Sequence, residues 1–257
     1  MAGNGSVAAV DDDALLEVMN VAARAVRAAL DELDDWGLAG TRPGQYHSDL
    51  RADEAAVGVL DAAGFGILSE ESGLHHEDRE ILVVVDPVDG STNASHGVPW
   101  FATSLCALDA DGPRAALVVN QAVGERFEAV RNGGARLNGH PIAPSSCNHL
   151  ADALVGLAGW PARHLGWRQY RALGAAALDL CAVACGRLDG YIDCTTDSHG
   201  PWDYLGALLV CREAGVDVVD LEARPLVVRD PGAKRTPIAA ATPTLLDEVI
   251  RARAPGV

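Results

Sequence analysis

Apolar residues first recur at three- and four-residue steps. Leu15, Leu16, Met19, Ala22, Ala23, Val26, Ala29, Leu30 and Leu33 follow the acids Asp11 to Asp13. The spacing predicts an amphipathic helix, capped by the acids and ending near Gly37. After a loop over 40–47, Ser48 or Asp49 is placed to cap a second helix that runs through Ala55, Ala56, Val59 and Leu60 and stops at Gly64. The rhythm then changes. Gly66-Ile67-Leu68 is short and apolar, and Ile81-Leu82-Val83-Val84-Val85 is the continuous run of a strand buried on both faces. Segments 101–108, 115–119, 125–131 and 135–137 alternate as strands, with turn signals at Gly133-Gly134 and Asn138-Gly139. The last third predicts strands over 154–157, 191–194, 216–219, 225–228 and 238–240, and helices over 162–173, 175–185, 204–214 and 243–253. A block of strands followed by alternating helices and strands implies layered α/β sheets with helices between them.

Composition narrows the class. With 257 residues, 49% hydrophobic and 22% charged, the chain suits one large globular domain with two lobes on a shared core. We expect a single domain over 1–257, divided into lobes of about 1–143 and 144–257. No apolar run reaches the length of a membrane span, and the first 13 residues lack the basic and apolar regions of a signal peptide, so a cytoplasmic location is expected. Cys106, Cys147, Cys181, Cys185, Cys194 and Cys211 form no Cys-x-x-Cys pair and read as thiols in a reducing compartment. The net charge of −16 repels nucleic acid and anionic membranes. It also repels a phosphorylated substrate unless a metal reverses the local sign.

The chemistry concentrates after the buried strand, in Asp86-Pro87-Val88-Asp89-Gly90-Ser91-Thr92-Asn93. Asp86 and Asp89 are three apart, so a turn at Pro87 and Gly90 is expected to bring them together and expose the Val88 carbonyl. Two carboxylates and a carbonyl are hard oxygen ligands suited to magnesium. The segment from Gly90 resembles a helix start, whose free N–H groups suit phosphate. Alone, an Asp-Pro-x-Asp-Gly segment is a turn, Glu70-Glu71 a solvated pair and Asp203 a helix-terminal acid. Ser69-Glu70-Glu71-Ser72 upstream and Pro201-Trp202-Asp203 downstream nevertheless complete an ordered set.

That set resembles the inositol monophosphatase family. The block 86–93 is similar to the family's Asp-Pro-(Ile/Leu/Val)-Asp-Gly-(Thr/Ser)-Thr-Asn signature, the Glu-Glu-Ser step to its Gly-Glu-Glu-Ser, and Trp202-Asp203 to its Trp-Asp. Segments 134–139 and 177–191 also fall in family order. The resemblance implies an α-β-α-β-α sandwich of the inositol monophosphatase/fructose bisphosphatase type, often homodimeric. It implies a magnesium-dependent, lithium-sensitive phosphatase with two or three Mg2+ per site, or Mn2+ in their place. Glu70, Asp86, the Val88 carbonyl, Asp89 and Asp203 would be metal ligands. Glu70 and the Ser91 hydroxyl would orient the attacking water, and the amides of Gly90, Ser91 and Thr92 would hold the phosphate. Asp53 resembles the family's outer-shell acid near an additional metal. The Lys that often precedes that acid is missing from Gly44-Gln45-Tyr46.

The segment before Asp203 is longer than in inositol-specific members, which points to the substrate side. Asp193, Asp197 and His199 are the candidates there for binding substrate hydroxyls or an amine, with Asp197 favoured because it falls inside the insertion. The expected partner is a small phosphomonoester of a polyol or amino alcohol. Histidinol phosphate, fructose bisphosphate and nucleoside bisphosphates are alternatives, as is a phosphatase-like regulatory binding protein.

Overall fold

The computed structural model describes residues 11–253. Helix α1 (Asp12–Asp31) is capped by Asp11, whose side chain accepts the Ala14 N–H at 2.7 Å. It stops short of Gly37, because Asp31, Glu32, Asp34 and Asp35 crowd the negative end of its dipole. Helix α2 (His47–Ala62) has Tyr46 as its N-cap, two residues before the first of the expected caps. Asp49 reaches back and accepts the Tyr46 N–H at 2.8 Å.

An eight-stranded sheet follows: β1 (Gly66–Ser69), β2 (Gly73–His75), β3 (Leu82–Asp89), β4 (Ala102–Asp109), β5 (Gly112–Asn120), β6 (Arg126–Val130), β7 (Gly134–Leu137) and β8 (His140–Pro141), in the order β2-β1-β3-β4-β5-β6-β7-β8. The short helix α3 (Ser91–Ser95) leaves the end of β3. A second sheet, ordered β10-β9-β11-β13-β12, is built from β9 (Leu154–Ala158), β10 (Gln169–Arg171), β11 (Gly190–Asp193), β12 (Asp217–Asp220) and β13 (Pro237–Ala240). Helices α4 (Ala176–Ala184) and α5 (Pro201–Ala214) are interleaved with its strands, and α6 (Pro243–Arg253) closes the chain.

The apolar faces stack these elements into five layers. Helices α1 and α2 cover one face of the first sheet, through Leu15, Met19, Val26, Val83 and Val85. Helices α4 and α5, apolar almost all round, fill the space between the two sheets. Helix α6 packs Leu245, Leu246 and Val249 on the outer face of the second sheet. The fold is therefore the expected α-β-α-β-α sandwich.

Two expected elements do not form. Residues 162–168 are bends and irregular backbone rather than helix, and 169–171 are the edge strand β10, paired parallel with β9. Gly166, at φ 108°, breaks the helical backbone, while Leu165 and Trp167 are drawn into the core beside α6. Residues 225–228 form no strand. Their carbonyls serve side chains instead, Pro225 O accepting from Arg235 Nε at 2.9 Å and Leu226 O from the Tyr204 hydroxyl at 2.8 Å.

Candidate metal centre and substrate cleft

Three acids meet where β1, β3 and α5 converge. Glu70 follows β1, held by its N–H to Val85 O at 3.1 Å. Asp86 lies in β3 and is 1% exposed. Asp203 is in the first turn of α5, where it accepts the Gly200 N–H at 2.6 Å. One carboxylate oxygen from each of the three lies within 4.8 Å of the others.

Strand β3 runs straight through Asp89, so no turn separates the paired acids. A bulge brings them together instead. Asp86 pairs with Ser104 and Asp89 with Ala102, three residues on β3 opposite two on β4. The extra residue reverses the alternation of side chains. Val83, Val85 and Val88 thus share the α1/α2 core although the last step is three residues, and Asp89 is returned to the face of Asp86. The Val88 N–H donates to Asp86 Oδ1 at 2.9 Å, and the Thr103 hydroxyl to Pro87 O at 2.9 Å, fixing the irregular backbone. Asp89 reaches the next layer, accepting the α4 amides of Ala176 at 3.2 Å and Ala177 at 2.7 Å.

This much negative charge raises the acids' proton affinity. Burial, followed by Asp203, Glu71 and Asp89, pushes Glu70 up to about 8. Burial and Asp203 push Asp89 up to about 7. Asp86 goes well above the usual carboxylate range, through burial and the charges of Glu70 and Asp89. Burial also raises Asp203, against the pull of His199 and of the Gly200 amide. A cluster of hard oxygens that only protons or a cation can neutralise fits Mg2+ or Mn2+.

Gly90 begins the α3 turn at φ 89°. A Cβ there would approach Trp100 O to 3.1 Å and Ala175 Cβ to 3.2 Å, so both conformation and space demand glycine. The first bond back along the turn is Ala94 N–H to Gly90 O, at 3.1 Å. The amides of Ser91 and Thr92 therefore have no acceptor within the helix. Asn93 latches the turn to the α4 approach, donating to Trp100 O and Leu173 O at 2.7 Å each.

A model of the inositol monophosphatase family matches residues 48–255. The chain is 35% identical over 236 residues to an inositol-1-monophosphatase of Mesorhizobium japonicum, covering 81% of this chain and 86% of the relative. The chain belongs to the inositol monophosphatase family. It is also 30% identical over 230 residues to a Nus factor SuhB of Pasteurella multocida, covering 79% and 85% of the two chains. The solved inositol monophosphatase of Anabaena superposes with a TM-score of 0.77 at 27% identity, over 93% of this chain and 95% of that one. Family membership and the acidic cluster together make the protein a metal-dependent phosphomonoesterase of the inositol monophosphatase type.

In this family member, Asp53 does not line the site. It is buried against β1, where its carboxylate accepts the Ser69 hydroxyl. One helical turn earlier, Asp49 does face the site, lining a hollow with Arg42, Gln45, Glu70, Glu71, Ser91, Trp202 and Lys234. Burial pushes Asp49 up to about 6, and Glu71 adds to the rise. Arg42 supplies a cation here, bonded to Glu71 at 2.5 Å.

A cleft of about 280 Å³ opens on the other side of the acids, lined by Asp89, Ala176, Asp179, Tyr191, His199 and Asp203 among others. It lies at the carboxyl ends of the parallel strands β9, β10 and β11, where α/β sheets commonly bind ligands. Of the three acids and bases expected on the substrate side, His199 alone is on the cleft wall. Asp193 is fully buried and positions it, accepting from Thr195 N–H at 2.8 Å, Ser198 Oγ at 2.9 Å and His199 Nδ1 at 2.7 Å. Burial works against the His199 proton, but the Asp193 hydrogen bond and the charge of Asp203 raise its pKa overall. Asp197 corrects the expectation most sharply. Its φ of 52° turns the chain outward, and its carboxylate pairs with Arg224 at 2.6 Å, away from the cleft.

Asp179 was not expected in the site at all. Its sequence signal is slight: a lone acid inside an otherwise apolar helix.

Proposed function

We propose that the protein hydrolyses the phosphomonoester of a small, otherwise uncharged polyol. The observation that carries this reading is the chemistry of the cleft wall. Asp89, Asp179 and Asp203 contribute carboxyls, and among the described residues no Arg or Lys lines it. A second phosphate on the leaving group would meet carboxyls with only His199 to offset them, which disfavours fructose bisphosphate and nucleoside bisphosphates. The cavity volume, near the lower limit for small-molecule sites, favours a compact alcohol.

In this reading Glu70, Asp86, the Val88 carbonyl, Asp89 and Asp203 hold two or three Mg2+, and Asp49 rather than Asp53 borders the outermost. Bound magnesium supplies charge neutralisation at the phosphoryl oxygens and a lowered pKa for water there. The chain does the rest. The amides of Gly90, Ser91 and Thr92 hold the phosphoryl group at the α3 turn. Glu70 and the Ser91 hydroxyl orient water for in-line attack opposite the ester oxygen, with no covalent enzyme intermediate. The alcohol leaves into the cleft beside His199. Lithium sensitivity, a homodimer and a cytoplasmic location belong to the same reading, on the strength of the family.

The test is phosphate release from a panel of phosphomonoesters, with and without chelator. We expect turnover that needs Mg2+ or Mn2+, falls with lithium and favours a polyol phosphate over any bisphosphate. Full activity after thorough chelation, or preference for a bisphosphate, overturns the reading. An inactive protein that folds normally favours the regulatory alternative, which relatives named as Nus factors keep open.

A further inference from the structure

We propose that Asp179 is a specificity-determining residue: its cleft-side carboxyl oxygen accepts a hydrogen bond from a hydroxyl of the leaving polyol. The inference rests on the phosphatase reading and names what selects the alcohol within it.

Asp179 is 1% exposed, in a helix whose nine residues are all buried. An acid in such a place normally has its oxygens satisfied. The other buried acids of this half obey the rule. Asp193 accepts on both oxygens, from Thr195, Ser198 and His199. Asp220 accepts on both, from Arg224 and the Thr236 amide. Asp179 differs. Its Oδ1 takes the Trp100 Nε1–H at 2.9 Å, and its Oδ2 has no hydrogen bond among the described residues.

The residue also stands where a leaving group must go. Ala175, Ala176 and Asp179 share one stripe of α4, and all three line the cleft. The top of that stripe is where the Ala176 and Ala177 amides grip Asp89. Asp179 is therefore one turn deeper into the cleft than a metal-ligand candidate. Asp179 Oδ2 is not among the enclosed atoms left without a partner, so it opens on the cleft, where a ligand hydroxyl can take the place of water.

An ammonium group is the rival donor to this oxygen, and the amino ester in the test separates it from a hydroxyl.

The experiment compares Asp179→Asn with the parent on three esters in magnesium: myo-inositol 1-phosphate, cyclohexyl phosphate (the same ring without hydroxyls) and 2-aminoethyl phosphate. Asparagine keeps an acceptor for Trp100 and turns the cleft-side atom into a donor. We expect kcat/KM on the inositol ester, measured at pH 9 where a carboxyl pushed up to about 8 by burial is ionised, to fall roughly 10–100-fold, the worth of a hydrogen bond to a charged acceptor. The loss on the cyclohexyl ester should stay within about threefold, which also reports an intact fold. Equal losses on both ring esters, or no preference of the parent for the hydroxylated ring, overturn the inference and leave the phosphatase reading standing. A loss confined to the amino ester overturns it in favour of ammonium recognition. A parent that releases phosphate from none of the three overturns both.

Discussion

Magnesium binding should expel protons, and their number follows from the site. Glu70, raised to about 8, is largely protonated at neutral pH; Asp89, raised to about 7, is half protonated; Asp86 stands higher than the usual range. Metal ligation needs these carboxylates ionised, so binding at pH 7 should release on the order of two protons. By linkage the apparent affinity then climbs about a hundredfold per pH unit around pH 7, and the slope falls as pH passes the Asp89 and Glu70 values of about 7 and 8. The chelated protein should show the opposite trend. Each raised acid binds its proton more tightly in the folded state than in the unfolded one. Its stabilising contribution is complete below the ordinary carboxylate pKa and is lost as pH rises through 7 and 8. Saturating magnesium should remove that loss. The assay is isothermal titration with magnesium at pH 7 and pH 9, in two buffers of different ionisation heat, with thermal melts at matched pH. The buffer-dependent part of the heat counts the protons. Equal affinity at pH 7 and pH 9 with no proton release at pH 7 would refute the reasoning.

Two substitutions probe the same centre. Asp89→Asn should lower kcat by roughly 10²–10⁴-fold, an effect that includes a lost metal ligand, while one oxygen remains to accept from the α4 amides; steady-state kinetics beside a melting curve decides it, and near-normal turnover removes Asp89 from the site. Gly90→Ala places a Cβ at φ 89° within 3.1 Å of Trp100 O and should cost about 1–3 kcal/mol of stability; urea unfolding reads it, and unchanged stability contradicts the strain argument.

Much of this was legible in the sequence because it depends on local pattern. The run Ile81 to Val85 marks a strand buried on both faces wherever it occurs, and the acids after it carry their own spacing. What was not legible depends on partners distant in the chain. Residues 162–173 have a composition that tolerates a helix, but Trp167 and Leu165 bury beside α6, and 169–171 complete the edge of β9. Residues 225–228 look like a strand, yet Tyr204 and Arg235 claim the carbonyls a neighbouring strand would need. Asp49 and Asp53 sit one turn apart on α2. Only the packed helix shows that Asp49 faces the acids while Asp53 is spent on Ser69. The substrate side was hardest to read. Asp197 looked exposed to ligand in the sequence and is exposed to Arg224 in space, whereas Asp179 was hidden in an apolar helix.

The bulge between Asp86 and Asp89 makes chain length, rather than side-chain identity, the quantity under tightest control in this stretch. A substitution at Pro87 or Val88 changes packing but leaves three β3 residues opposite two on β4. Deleting one residue restores plain alternation and leaves the acids two apart, still on one face, but it removes the bulge, so the bonds from Val88 N–H to Asp86 and from Thr103 to Pro87 O can no longer both form. Divergent copies of this chain are therefore free to exchange residues between the two acids, but not to gain or lose one. Their alignments should be gapless across this stretch even where the letters differ.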